Sequence, residues 1–116
     1  MAEKDNVIKI ENPTEEQNGV YVHEFSKPFT YEGKTYEKLT FNWYMLTGDD
    51  SLAIENELQS LGKAIIMPEF SGDYLVRMAS RACTENIGAD VILAMPLGDY
   101  NAIRGKARSF LLRLGR

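Results

Sequence analysis

Asp90-Val91-Ile92-Leu93-Ala94-Met95-Pro96-Leu97-Gly98-Asp99-Tyr100-Asn101-Ala102-Ile103-Arg104-Gly105-Lys106-Ala107-Arg108-Ser109-Phe110-Leu111-Leu112-Arg113-Leu114 is the stretch whose reading decides the fold. A short apolar helix pattern over residues 90–95 stops at Pro96, which has no N–H to continue a helical ladder. A fresh start at Gly98, Asp99 and Tyr100 opens a longer amphipathic helix that runs to the end. Its apolar residues are Tyr100, Ile103, Ala107, Phe110, Leu111 and Leu114. Their spacing keeps them on one stripe of a helix turning every 3.6 residues. Arg104, Lys106, Arg108 and Arg113 occupy the other faces. Gly105 weakens the helix by roughly 1 kcal/mol relative to Ala, so either a close crossing uses its missing Cβ or the helix tolerates the loss. The stripe is a surface for packing and holds no arrangement for chemistry. It points to a protein that works by contact.

Two more helices precede this pair. Thr47, Asp49 and Asp50 offer an N-terminal cap and acidic charge at the positive end of the dipole. The stripe that follows is Ile54, Leu58, Leu61 and Ile65, with Gly62 ending or bending the helix and Pro68 closing the segment. The next helix starts near Ser71 or Asp73, carries Leu75, Met78, Ala79, Ala82 and Cys83 on one face, and ends by Gly88. Upstream, residues 20–42 read as strands. Phe29, Tyr31, Tyr36, Leu39 and Phe41 alternate with charged or polar neighbours around Gly33, which is what a half-buried hairpin requires. Gly33 suits a two-residue loop or a type I turn with a bulge. Val20, Val22 and Phe25 form the apolar alternation of the first strand, and Lys27-Pro28 marks an edge-strand start. Residues 1–18 are rich in Glu, Asn, Lys and Gln and read as a mobile polar arm, in which Val7, Ile8 and Ile10 could add a short edge strand.

The class is therefore α+β: a β-hairpin over residues 19–42, then a bundle of about four helices over 47–114, in one domain spanning 19–116. A chain of 116 residues suits one core. A lone two-stranded hairpin is marginal in water, so it must pack on the helices or pair with a strand of another copy.

Composition narrows the function classes. The net charge of −4 argues against a protein built mainly for nucleic acid. Residues 99–116 carry five Lys or Arg against Asp99 alone, a balance of +4, while the first 98 residues hold eight basic and sixteen acidic side chains, a balance of −8. The last helix is a basic element on an acidic body. Arg104, Lys106, Arg108 and Arg113 do not share one narrow stripe, and no aromatic side chain interleaves with them on the polar face to stack bases. Basic residues there also complement the helix dipole. His23 is the only histidine and Cys83 the only cysteine. No catalytic constellation, metal site or cofactor motif is expected from them. His23 reads as a strand residue facing solvent, and Cys83 as a small buried hydrophobe. The polar N-terminal start and the lack of any apolar run of about 18 residues point to a cytosolic protein.

The hairpin Phe29-Thr30-Tyr31-Glu32-Gly33-Lys34-Thr35-Tyr36 with Leu39, followed by a helical region ending in Asp90, Leu93, Pro96, Asp99-Tyr100, Ile103 and Phe110-Leu111, resembles the tail assembly chaperones of contractile-tailed bacteriophages and prophages. The resemblance covers roughly residues 26–112. It implies a small non-enzymatic protein of the bacterial host cytoplasm, absent from the finished virion. Such a chaperone coats the helical tape measure protein, keeps it soluble, and is displaced as tail tube subunits polymerise. It implies a homo-oligomer, often made in a short and a frameshifted long form. The tape measure protein is the expected partner and the tail tube protein a second candidate, with no membrane and no nucleic acid involved. Helix-in-groove binding needs an apolar groove flanked by charge. Its candidate residues are Tyr100, Ile103, Phe110 and Leu111, with Leu75, Met78 and Met95 nearby and Trp43, Tyr44 and Met45 as a second patch. The competing demand on the same side chains is the domain core. A structural tail component, or a small regulator binding nucleic acid through Arg104, Lys106, Arg108 and Arg113, is the alternative reading.

Overall fold

The structure, a computed structural model, describes residues 19–114. The expected arm with Val7, Ile8 and Ile10 lies outside them, as do Arg116 and the side chain of Leu114. Two antiparallel strands, β1 (Val20–Tyr31) and β2 (Lys34–Asn42), lead through a single 3-10 turn (Trp43–Met45) into α1 (Gly48–Ser60). A second 3-10 turn (Pro68–Phe70) precedes α2 (Gly72–Ala82), α3 (Ala89–Leu93) and α4 (Leu97–Leu114). The hairpin followed by four helices makes the class α+β, as the segregation of strand and helix patterns required.

The hairpin closes with a two-residue loop. Glu32 (φ 50°) and Gly33 (φ 80°) are both left-handed between the paired Tyr31 and Lys34, the backbone of a type I′ turn whose twist matches the strands. The phase of β1 corrects the sequence reading. Val22 is exposed, whereas Tyr21, His23 and Phe25 face the helices. The partners decide this: His23 pairs with Leu39 and Tyr21 with Phe41, and both β2 residues are fully buried. A one-residue shift would turn every one of these side chains outward. Pro28 does not start a strand either. It sits in the irregular stretch between Glu24 and Phe29, where the ladder is interrupted and a missing N–H costs nothing.

His23, read as solvent-facing, is buried. Its Nε2 lies 2.7 Å from Oδ1 of Asp99 in the first turn of α4, and its Nδ1 lies 2.7 Å from the Tyr21 hydroxyl. A carboxylate only accepts, so Nε2 carries the hydrogen, and in the neutral ring Nδ1 then accepts from the Tyr21 O–H. Both ring nitrogens are thereby satisfied and the buried polar group is affordable. The pair ties the hairpin to the start of the last helix.

The other hairpin edge is tied to the end of α2. Phe41 bridges Cys83, the Thr84 N–H donates to the Thr40 carbonyl (2.9 Å), and the Thr40 N–H donates to the Glu85 carboxylate (2.9 Å). These bonds answer the marginal stability of an isolated hairpin. Burial alone would raise the pKa of Glu85, but hydrogen bonds from the Thr40 N–H, Cys83 and Thr84 outweigh it and hold the carboxyl below its ordinary value. Burial pushes the Cys83 thiol up to about 12. Cys83 caps α2 instead of lying within it.

α2 is the central helix, capped by the Ser71 hydroxyl accepting from the Tyr74 N–H at 3.1 Å. It buries Tyr74, Leu75, Val76, Met78, Ala79 and Ala82, and packs against α1, α3 and α4. Ile103, Ala107 and Phe110 of α4 and Ile54 and Leu58 of α1 complete this core. α1 (Gly48–Ser60) stops earlier than its apolar spacing suggested. Gly62 takes φ +74° and its N–H and that of Lys63 return to the carbonyls of Gln59 and Leu58, which closes the helix end. Leu61 is left exposed, and Ile65 packs on the core from the loop. Arg77 to Glu57 (3.0 Å) and Arg81 to Asp50 (2.7 Å) fasten α2 to α1 along the surface.

Candidate functional site

The connection between hairpin and bundle builds a cleft. Asn42 ends β2, and its side-chain oxygen accepts from the Tyr44 N–H at 3.2 Å, starting the 3-10 turn. The Trp43 N–H donates to the Gly19 carbonyl at 2.7 Å, so the turn is clamped to the beginning of β1. α1 then opens with the Thr47 N–H donating to the Asp50 carboxylate at 2.8 Å, one arm of a capping box. This bond and the Arg81 guanidinium, the larger cause, hold the Asp50 carboxyl below its ordinary value. The turn, the first turns of α1, the Tyr74–Met78 face of α2 and the last turns of α4 enclose a cleft of about 420 Å³. Trp43, Ile54, Met78 and Phe110 give it an apolar floor, and Tyr44, Leu46 and Leu111 its apolar walls. Thr47, Gly48, Asp50 and Ser51 form a polar rim, and the Ser51 and Tyr74 hydroxyls bond at 2.8 Å.

An aromatic ladder connects this cleft to the hairpin tip. Ring centroids run from Tyr31 to Phe29 (6.3 Å), Phe25 (5.6 Å) and His23 (4.9 Å). They continue through Tyr21 (5.7 Å), Phe41 (6.2 Å), Trp43 (5.6 Å) and Phe110 (6.3 Å), and end on Tyr44 (5.4 Å). Each such contact adds about 0.5–1.5 kcal/mol beyond the area it buries, so the hairpin's inner face holds the turn rigidly in place. Tyr44 stands at the outer end with most of its ring in solvent (62% exposed).

The cleft brings together five of the side chains singled out in the sequence, Trp43, Tyr44, Met78, Phe110 and Leu111, and excludes five, among them the exposed Met45. Ile103 (0% exposed) and Met95 are sealed in the core, as is Leu75. Tyr100 is half-buried at the other end of α4, with its hydroxyl close to Gly72. The reason is the length of α4. Its stripe is continuous, but only its last turns pass the 3-10 turn, so one stripe serves the core at one end and the cleft at the other. Leu46, Ser51 and Tyr74 escaped the sequence reading, and Thr47 entered it only as a helix cap. Tyr74 lies one helical turn before Met78, a spacing that would have placed it on the same face.

The basic side chains of α4 lie over aromatic rings of the same chain. Arg104 is 5.7 Å from the Tyr100 centroid, Lys106 5.4 Å from Tyr21, Arg108 5.9 Å from Phe70 and Arg113 5.7 Å from Phe110. Tyr100 and Phe110 belong to α4 itself, whereas Tyr21 and Phe70 reach it from other elements, so each of the four cations lies over a different ring. Among the described residues no three His, Cys, Asp or Glu side chains gather into a group that could hold a metal ion, and no helix is long and apolar enough to cross a membrane. Comparison of the chain with protein-family models, with curated proteins and with solved structures found no match in any of the three.

Proposed function

We propose that this chain is a non-enzymatic tail assembly chaperone of a contractile-tailed phage or prophage, acting in the host cytoplasm. It shields an apolar face of the helical tape measure protein by non-covalent contact and associates with itself. The tail tube protein is a second candidate partner. The resemblance of residues 26–112 suggests the class, and one observation carries the mechanism: the core residues Trp43, Met78 and Phe110 form the floor of an apolar cleft that Tyr44, Leu46 and Leu111 wall on the solvent side. A cleft of about 420 Å³ takes the anchor side chains of one helical face, not a whole helix some 10–12 Å across. Met78 adapts to anchors of different shape, which suits a client whose sequence varies along its length. Asp50 and Ser51 at the rim offer polar partners beside the apolar floor.

The test is co-expression with the tape measure protein encoded in the same genomic neighbourhood. A soluble complex that co-purifies supports the reading. Tyr44→Asp charges the exposed wall at the cost of a single ring contact with Phe110, and is expected to abolish the complex while leaving the fold intact. A client that stays insoluble beside the wild-type chain, or retention of the chain in mature particles, contradicts the proposal.

A further inference from the structure

The described chain enters the fold at the cleft itself. Gly19 adopts φ +69°, and a Cβ there would run into the Tyr44 ring. Its carbonyl is held by the Trp43 N–H at 2.7 Å. Gly19 is thus seated between two residues of the cleft wall, so whatever precedes it starts from the cleft's rim. Residues 7–10, Val-Ile-Lys-Ile, are the concentrated apolar cluster of the first eighteen positions. Nine peptide units join Ile10 to Gly19, a reach of roughly 30 Å when extended, which is ample for a site that begins at the anchor. A tether of that length holds the segment at an effective concentration on the order of millimolar, so even weak intrinsic affinity fills the site. Lys9 stands between Ile8 and Ile10, and the first turn of α1 along the rim carries Asp49 beside the Arg81-bonded Asp50, while the acidic Asp5 and Glu11 flank the apolar cluster on either side.

We propose that residues 7–10 of the same chain dock in this cleft, with Ile8 and Ile10 on the apolar floor and Lys9 toward the α1 rim. The chain thereby covers its own apolar surface, and any client must displace the segment to bind. This extends the client reading to its regulation, yet the docking itself requires no client. The open outer edge of β1 is a poorer seat. Its outward side chains, Val22, Glu24 and Ser26, are mostly polar, and its inward ones, Tyr21, His23 and Phe25, are already packed against the helices.

A nitroxide on Asn6→Cys in the full chain tests this directly. Buried Cys83, with its thiol pushed up to about 12, does not compete for the label at neutral pH. Paramagnetic loss of signal is expected at the Trp43 indole and the Leu46, Ile54 and Leu111 methyls. Val91 and Leu93 should keep their intensity, because α3 lies by the hairpin tip, where the Tyr31 hydroxyl donates to Asp90 at 3.0 Å. Adding Ile8→Asp and Ile10→Asp to the labelled chain should restore the cleft signals. Losses centred on Val22 and Glu24, losses shared equally with α3, or losses that survive the two aspartates would overturn the proposal. Equal losses in an isotope-enriched, unlabelled chain mixed with spin-labelled chain would place the segment on a second copy and overturn it as well. No client is present in the experiment, so failure here leaves the co-expression result untouched. Conversely, a chain that shows the docking and solubilises no tape measure protein refutes only the client reading.

Discussion

Ile103→Ala separates core from cleft more sharply than any other single substitution. Ile103 was a candidate contact residue by its place on the α4 stripe, and the structure encloses it completely (0% exposed) between α4 and α2. The change deletes three buried carbons. At about 0.8 kcal/mol each, the lost transfer energy is roughly 2.4 kcal/mol. A cavity that collapses only in part adds a further ~1–2 kcal/mol at about 24 cal/mol per Å³. The expected loss is therefore about 3.5–4.5 kcal/mol, a large share of the ~5–15 kcal/mol that holds a domain together. For a domain of this size it corresponds to a fall in Tm of more than about 10 °C. Urea unfolding followed by far-UV circular dichroism gives the number, provided the m-value is unchanged. Leu112→Ala on the exposed side of the same helix (43% exposed) is the control and should stay within about 0.5 kcal/mol. Below the shifted transition, Ile103→Ala should bind client as the wild-type chain does. A loss under about 1 kcal/mol, or a folded variant that has lost client binding, would refute the placement of Ile103 and the division of α4 into a core end and a cleft end.

Three further outcomes follow from particular contacts. His23→Ala strands the Asp99 carboxylate and the Tyr21 hydroxyl beside a cavity and should cost about 2–4 kcal/mol by the same urea assay, whereas a solvent-facing histidine would cost almost nothing. Asp50 and Glu85 both titrate below their ordinary values of 3.8 and 4.5 in the folded chain, so the unfolded chain binds more protons in that range. Their stabilisation is present above the ordinary values and is lost as pH falls through the depressed ones; Asp50→Asn with Glu85→Gln should flatten the acid limb of a stability–pH curve. Cys83 should react with a thiol reagent at neutral pH only as fast as the chain opens, so labelling rates should rise in step with the unfolded fraction in the Ile103→Ala variant.

Periodicity carried the helices, because a stripe such as Leu75, Met78, Ala79 and Ala82 is the same statement in sequence and in packing. Strand phase was not legible. Val22 and His23 compete for the inward position, and only the pairing of His23 with Leu39 and of Tyr21 with Phe41, sixteen and twenty residues apart, settles it for His23. The partner that makes a buried histidine tolerable, Asp99, is 76 positions downstream. The cleft was half legible for the same reason. Phe110, Leu111 and Met78 lie on visible stripes, but nothing local says which end of a continuous stripe the 3-10 turn will pass. The cations of α4 looked unaccompanied because Tyr21 and Phe70 reach them from other elements.

The most direct test of the account is the chemical-shift response of the isotope-enriched chain to a peptide from a helical, apolar-striped segment of the tape measure protein. Binding through the cleft predicts shifts that map to Trp43, Leu46, Ile54, Met78, Phe110 and Leu111 and leave Ile103 and the hairpin tip at rest. Saturable shifts confined to the outer edge of β1 or to the basic face of α4, or no saturable shift at all, would contradict it.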